Sequence, residues 1–290
     1  MKVVSFGAVL WDVLPRGIFL GGAPLNVAAH LSKLGAEVTM VSAVGKDFLG
    51  EEALERMKTN QVDTHLVEQH DDLPTGTVKV TLDAKGNASY TIHENVAWDR
   101  IVLSKALLES VQKADAIVFG SLDVRSNPNF ETLTHMLNEK GPLRIFDVNL
   151  RAPYDNLDLV FTLIEKTDIL KLNEEELEKI SGGTIESSGC ESLIEKLVEK
   201  TGVRRICVTL AEKGAIYFND GRLIKGCATA SEVRNTVGAG DAFMAAFIQS
   251  VINGNADRNL DFINRCCRLG AYVASQDGAI PDYDPQKILD

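Results

Sequence analysis

The chain reads as an α/β protein built on a mostly parallel central sheet, and three observations point there. From Asp115 onward, short apolar runs alternate with stretches of helical period: Ala116–Phe119, a helix opened by Asn127-Pro128, Arg144–Val148, Leu157–Lys166, Asp168–Leu172 and Glu174–Ile180. Such alternation implies parallel strands joined by right-handed crossovers. The first strand, Val3–Val9, is a continuous apolar run, as expected where both faces of a strand are covered. The length of 290 residues with 45% hydrophobic content is enough to bury a large core. No repeat, low-complexity tract or Pro/Gly/Ser linker divides the sequence, so residues 1–290 are read as one domain with a small β appendage.

Taken in order, Val3–Val9 is followed by Gly21-Gly22 and a helix from Pro24 to Gly35, with Val27, Leu31 and Leu34 on one face. Proline near the start and glycine past the end are the usual helix punctuation. Glu37–Val44 reads as a strand, and Phe48–Asn60 as an amphipathic helix whose buried stripe is Leu49, Ala53, Leu54 and Met57. The period then changes. Thr77–Leu82 and Ala88–Ile92 alternate across the turn-rich 83–87, which predicts a β-hairpin inserted between α/β units. After the alternating segment, Arg205–Thr209 is an apolar strand, and Ala215–Phe218 with Arg222–Ile224 predicts a second hairpin, the antiparallel edge of the main sheet. Leu260–Ser275 is helical.

Composition excludes several classes. Lys and Arg total 30 against 41 Asp and Glu, a net charge of −11, which gives a nucleic-acid or anionic-membrane surface no global support. The five cysteines, Cys190, Cys207, Cys227, Cys266 and Cys267, show no Cys-x-x-Cys spacing with nearby histidines. Neither a disulfide framework nor a zinc site is therefore expected, and a cytoplasmic location is. The N-terminal apolar run is interrupted by Asp12 and lacks a cleavage pattern, so it is read as a strand instead of a signal peptide. No stretch is long enough to span a bilayer.

Chemistry concentrates in residues 235–247. The glycine turn Gly238-Ala239-Gly240 runs into the apolar pattern Phe243, Ala246, Phe247, Val251, so free amides of a first helical turn form a seat for an anion. Asp241 lies in that turn, where it serves either as a helix-end carboxylate or as a general base beside transferred phosphate. Asn173 and Glu176, three residues apart, share one side of another first turn; this spacing suits a helix cap and equally a pair that orients the waters of Mg²⁺. Asp12 follows the first strand, at the sheet end where ligands of α/β proteins gather.

Four stretches in register, Gly21-Gly22-Ala23-Pro24-Leu25-Asn26, Asn173-Glu174-Glu175-Glu176, Thr209-Leu210-Ala211-Glu212-Lys213-Gly214 and Asn235-Thr236-Val237-Gly238-Ala239-Gly240-Asp241-Ala242-Phe243, resemble the motifs of the ribokinase-like (PfkB) sugar kinases. Phe146-Asp147-Val148-Asn149-Leu150-Arg151 resembles the family's Asp-x-Asn-x-Arg element, and Gly278-Ala279-Ile280-Pro281 closes the set. The resemblance implies a three-layer α/β/α fold with a small β lid from about residues 11–20 and 74–96. Since the connector Asp12–Leu20 leaves room for at most a short strand, a reduced lid is expected.

It also implies roles. Asp241 is the base, and the amides of Gly238, Ala239 and Gly240 hold the charge developing on phosphate. Arg151 faces the phosphoryl group or the substrate, with a surface ion pair as its other reading. Asp12 holds two sugar hydroxyls, and Asn26 hydrogen-bonds the sugar with the Gly22 backbone close by. Asn95 lies near the lid with Tyr90, His93 and Trp98, residues for which packing is the plainer role. Asn173, Thr209, Ala211, Gly214, Gly240 and Asn264 lie on the ATP side, and Mg²⁺ sits near Asn173 and Glu176 through water. Many relatives carry Gly where this chain has Ala211, and an acidic residue that helps bind potassium where this chain has Asn235. A neutral amide binds a cation less well, so activation by a monovalent cation has weak support.

The Leu10-Trp11-Asp12 opening with Gly21–Asn26 looks most like fructokinases, which implies phosphate added to O6 of D-fructose; ribose or another keto sugar is the alternative. A phosphorylated sugar would need cationic lid residues, for which only Lys79 and Lys85 stand near. Two other classes fit the sequence less well. A nicotinamide dehydrogenase needs a Gly-x-Gly-x-x-Gly turn after an early strand, which is missing. A sugar-binding protein without catalysis would not need Gly-Ala-Gly-Asp. The expected partners are a small sugar and ATP, with a homodimer through the lid, and no nucleic acid or membrane.

Overall fold

The computed structural model describes residues 1–14, 17–82, 88–227, 232–258 and 261–289. In chain order the strands are β1 (Lys2–Phe6), β2 (Leu10–Leu14), β3 (Gly17–Gly21), β4 (Glu37–Gly45), β5 (Asp63–His70), β6 (Gly76–Leu82), β7 (Ala88–Ile92), β8 (Ala116–Gly120), β9 (Leu143–Asp147), β10 (Ile169–Asn173), β11 (Arg205–Thr209), β12 (Ala215–Asn219) and β13 (Arg222–Gly226). Nine of them form one sheet in the order β13-β12-β11-β10-β9-β8-β1-β4-β5, and four form another in the order β3-β2-β6-β7.

From β11 to β5 the large sheet is parallel, and β12 and β13 complete it antiparallel, as the second hairpin predicted. Because side chains alternate across a strand, each buried strand feeds two cores. Val3, Ile145, Ile169 and Cys207 join the helices Ala23–Lys33, Ala239–Ile252 and Phe262–Ala274 on one face. Val4, Phe146, Leu170 and Ile206 join the helices Asn127–Leu137, Leu157–Ile164 and Cys190–Thr201 on the other. The result is the expected three-layer α/β/α arrangement, whose parallel strands carry their carboxyl ends to one edge.

Three expectations need correction. The run Val3–Val9 is not one strand: β1 stops at Phe6, Gly7 adopts φ 136°, and the chain leaves for the second sheet at Leu10. The cause is Asp123, whose Oδ1 accepts the Ala8 N–H at 3.0 Å and whose Oδ2 accepts the Gly120 N–H at 2.8 Å. A Cβ on Gly7 would lie 2.1 Å from the Asp123 carboxyl carbon, so only glycine fits this crossing. Asp12 therefore lies inside β2, opposite Phe19 and Val78, and not beyond the first strand.

The lid is also fuller than expected. The connector read as holding at most a short strand instead holds most of β2 and most of β3, each five residues long, paired antiparallel. With β6 and β7 they make a four-stranded sheet. The hairpin β6–β7 follows the predicted register; its turn, residues 83–87 with Lys85, falls outside the described residues, as does the side chain of Tyr90. The third correction is β5, an element to which the sequence reading gave no place. It pairs with β4 at the sheet edge, where none of its side chains is fully buried and no apolar alternation marks it.

Candidate active site

The helix Ala239–Ile252 begins at Gly238, whose φ of 82° lies in the left-handed region and which provides no side-chain cap. The first intrahelical bond runs from the Ala242 N–H to the Gly238 carbonyl at 2.9 Å. The N–H groups of Gly240 and Asp241 consequently have no helical acceptor, and Gly240 is exposed. Ala239 differs from its assignment in one respect: its N–H turns to the Thr236 carbonyl at 3.3 Å, so the open part of the seat is displaced toward Gly240 and Asp241.

Asp241, half-buried in the first turn, accepts a 2.8 Å hydrogen bond at Oδ2 from the Asn26 Nδ2. Two residues 215 positions apart are thereby brought together, the sugar-side amide and the candidate base. Burial raises the Asp241 carboxyl to about 6, and the Asn26 bond and the charges of Lys171 and Arg151 pull against that rise. A carboxyl in that range is ionised at neutral pH and still basic enough to accept an alcohol proton in a transition state. Asn26 Oδ1 is buried with no hydrogen-bond partner, so this amide retains an acceptor beside the carboxylate.

Asn26 is placed by the helix Ala23–Lys33, which starts at Gly22 with φ 111°. A Cβ at Gly22 would lie 2.2 Å from the Ala8 carbonyl oxygen, so the helix start is pressed against the crossing between β1 and β2. Asp12 reaches the same corner from the lid, its Oδ2 lying 2.8 Å from where a Gly21 Cβ would be. Burial raises its carboxyl to about 6.

Behind the open helix start stands a charged pair that sequence reasoning missed. The Lys171 Nζ donates to both carboxylate oxygens of Asp147, at 2.9 and 3.0 Å, with both side chains almost fully buried. It also lies 3.7 Å from where a Gly240 Cβ would be. The attraction of Asp147, Glu176 and Asp241 keeps this ammonium above its ordinary range despite burial. A lysine inside the otherwise apolar run Ile169-Leu170-Lys171-Leu172 was the available signal. Asp123, raised to about 7 by burial, is the second omission.

Asn173 and Glu176 form a complete capping box. Asn173 Oδ1 accepts the Glu176 N–H at 2.9 Å, and Glu176 Oε2 accepts the Asn173 N–H at 2.9 Å. The other carboxylate oxygen accepts the Leu150 N–H at 2.8 Å, which ties the helix start to the loop after β9. In that loop Asn149 adopts φ 44°, a conformation asparagine tolerates, and Arg151 is exposed with its Nη1 on the Leu150 carbonyl at 2.9 Å. The arginine is near enough to lower the Asp241 carboxyl, though it makes no direct bond to it.

On the far side, Thr209 ends β11 and its hydroxyl donates to the Leu172 carbonyl at 3.3 Å. Leu210 and Gly214 close a tight loop through a 2.8 Å backbone bond, within which Ala211 has φ 46°. Asn264 Oδ1 accepts the Cys227 N–H at 2.8 Å just past β13. Register places the end of β13 beside the end of β11, since Gly226 pairs with Ala215 and Ala215 with Thr209. Thr209, Ala211, Gly214 and Asn264 thus share the carboxyl edge of the sheet with the helix start at Gly238.

Asn95 is exposed with φ 56° in the loop after β7, and no contact joins it to Asp241. Its neighbours are structural. Trp98 is fully buried, with the Arg125 guanidinium 4.2 Å from its ring centroid and bound at two points to Asp99. His93 Nδ1 meets the Thr77 hydroxyl at 2.6 Å. Asn235 turns Oδ1 onto the Val237 N–H at 3.1 Å. Among the described residues no cluster of three or more His, Cys, Asp or Glu is arranged to hold a metal directly, and no helix is long and apolar enough to cross a membrane.

The sequence profile of the pfkB family carbohydrate kinases matches residues 17–281. Among curated relatives, a probable fructokinase-3 of Arabidopsis thaliana is 27% identical, the match covering 96% of this chain and 87% of the relative. A putative sugar kinase of Pyrococcus horikoshii is 30% identical over 80% of this chain and 73% of the relative. Among solved structures, the fructokinase of Vibrio cholerae O395 with fructose, ADP and calcium bound superposes with a TM-score of 0.83 at 20% identity, covering 100% of this chain and 99% of the other.

Proposed function

Since the chain belongs to the pfkB family of carbohydrate kinases and is thus a sugar phosphotransferase, we propose that it transfers the γ-phosphoryl group of ATP to O6 of D-fructose. The observation that carries this reading is the pairing of Asp241 with Asn26 at a helix start that has no side-chain cap. Asp241 takes the proton of the primary hydroxyl as the oxygen attacks phosphorus, and the N–H groups of Gly240 and Asp241 receive the negative charge on the transferring group. Asn26, with its unpartnered Oδ1, orients the sugar. Asp12 binds hydroxyls from the lid side, with Gly22 allowing close approach, and Asn95 is a contact that closure of the lid would bring in. Arg151 binds phosphoryl oxygens. Thr209, Ala211, Gly214 and Asn264 receive the nucleotide.

The donor set fits Mg²⁺ through water. Asp147, Glu176 and Asp241 interact with one lysine, leaving the neighbourhood net negative, while Glu176 and Asn173 already serve backbone groups and have lone pairs to spare only for waters. When bound, the ion neutralises phosphate charge. Asn235, neutral and turned onto its own loop, supports little activation by potassium, which a comparison of rates in potassium and in a bulky organic cation tests. The family resemblance, together with Ile18 exposed on the edge strand β3, supports a pair of chains joined through their lids; sedimentation equilibrium tests it. The cysteine pattern and the ATP requirement support a cytoplasmic location.

The test is ADP release from MgATP with D-fructose, D-ribose and other keto sugars. The highest kcat/KM is expected for D-fructose. A clear preference for D-ribose overturns the sugar assignment, and silence with every sugar favours a binding protein without catalysis.

A further inference from the structure

His30 is fully buried, lies one helical turn after Asn26, and has no part in the chemistry above. Both ring nitrogens are engaged. Nε2 meets the Ala279 carbonyl at 2.9 Å and Nδ1 meets the Tyr283 hydroxyl at 2.7 Å. A carbonyl only accepts, so Nε2 carries the proton and Nδ1 accepts from the phenol. The two rings also stack, with centroids 5.7 Å apart. Lys33, one turn further along the same helix face, reaches Asp282 at 3.1 Å. The segment Gly278–Tyr283 is thereby strapped onto the helix that presents Asn26.

That strap has a consequence at the other end. A Cβ built on Gly238 would lie 2.7 Å from Cα, Cβ and O of Ala279 alike, so Ala279 fills the space directly behind the left-handed turn. The chain before the turn is also held by the Arg234 and Asn235 N–H groups on the Ala274 carbonyl, so Ala279 is the contact that bears on Gly238 itself, and a shift of Ala279 lets the turn and the amides that follow relax toward it.

We infer that His30 and Tyr283 are positioning residues for phosphoryl transfer: through Ala279 they fix the turn at Gly238, and through the helix they share with Asn26 they keep that amide aligned with Asp241. The inference rests on reading Asp241 as the base beside an anion seat. It assigns work to a buried histidine that never touches substrate. Misplacement by about 1 Å at a reacting centre is enough to cost about 100-fold in rate.

The experiment measures kcat and KM with MgATP and D-fructose, or D-ribose where the panel selects it, for H30F, H30Q, Y283F and D241N. Far-UV circular dichroism at the assay temperature checks folding. H30F should lower kcat about tenfold or more with the sugar KM changed less than about twofold. H30Q, whose amide can still donate to the Ala279 carbonyl, should regain most of the rate, and Y283F should show a smaller fall. A folded H30F with wild-type kcat overturns the inference, as does a loss confined to KM. If H30F does not fold, Y283F and H30Q decide: wild-type kcat in Y283F, or an H30Q slower than Y283F, overturns it. D241N separates the two readings, because an inactive D241N beside a fully active H30F removes only the strap, whereas an active D241N removes the base.

Discussion

Two helix starts face the same edge of the sheet, each with acidic residues in its first turn, and they use them differently. At Glu174–Ser181 the carboxylate of Glu176 returns to its own backbone and closes a capping box with Asn173. At Ala239–Ile252 the cap is Gly238, no side chain serves the first-turn amides, and Asp241 turns to Asn26. The first start is satisfied within itself. The second leaves N–H groups without a helical acceptor next to a carboxyl that burial has made more basic. An acidic residue at a helix start is thus informative only together with what it accepts. The Glu176 arrangement is what stability alone would produce, and the Asp241 arrangement suits the anion seat and base proposed above.

Lys171 stands between the two, interacting with Asp147, Glu176 and Asp241 at once, and it offers the largest expected effect. Lys171→Met leaves Asp147 buried without its partner and should destabilise the fold by about 3–5 kcal/mol in urea unfolding. A change below about 1 kcal/mol would mean the pair is more hydrated than its burial indicates. Gly238→Ala follows. The new Cβ meets Ala279 at 2.7 Å and a left-handed alanine is strained by about 1–2 kcal/mol, so both stability and kcat should fall. Loss of stability without loss of kcat would break the link between this turn and catalysis.

Glu176→Gln sharpens the contrast from the other side. It weakens one half of the capping box, and the expected loss is about 1 kcal/mol. If water-mediated Mg²⁺ binding is real, the variant also needs more Mg²⁺ for half-maximal rate; an unchanged Mg²⁺ requirement reduces Glu176 to a cap. Ala211→Gly is the smallest. Relief of φ 46° is offset by the greater freedom of glycine in the unfolded chain, so stability should rise by up to about 1 kcal/mol. A fall would show that the methyl group packs usefully.

Much of this was legible in the sequence where a residue type has one dominant physical use. The glycines before Asp241 predicted a helix start there, the capping box is one of the two uses that the Asn173/Glu176 spacing allowed, and the alternation after Asp115 predicted the parallel strands and their helices. Lys171 escaped because a charged residue inside an apolar strand is read through its neighbours, and its partner Asp147 lies on a different strand. Asp123 escaped for a related reason: its hydrogen bond to the Ala8 N–H spans 115 residues, a separation no local pattern reports. The edge strand β5 lacks alternation because one edge and much of its surface meet water. The lid strands were hidden by their brevity, since two runs of five residues close together in sequence resemble a loop until their pairing is seen.

The central claim, that Asp241 works as a base beside an open helix start, is tested most directly by the pH dependence of kcat/KM for wild type and Asp241→Asn. Burial raises this carboxyl to about 6 in the folded protein. The proton therefore departs as pH rises through about 6, and wild-type kcat/KM, which follows the free enzyme, should climb there and then level off. Asp241→Asn should lie about 100-fold or more below it at neutral pH, without that limb. Near wild-type turnover in Asp241→Asn, with the limb at about 6 still present, would contradict the account.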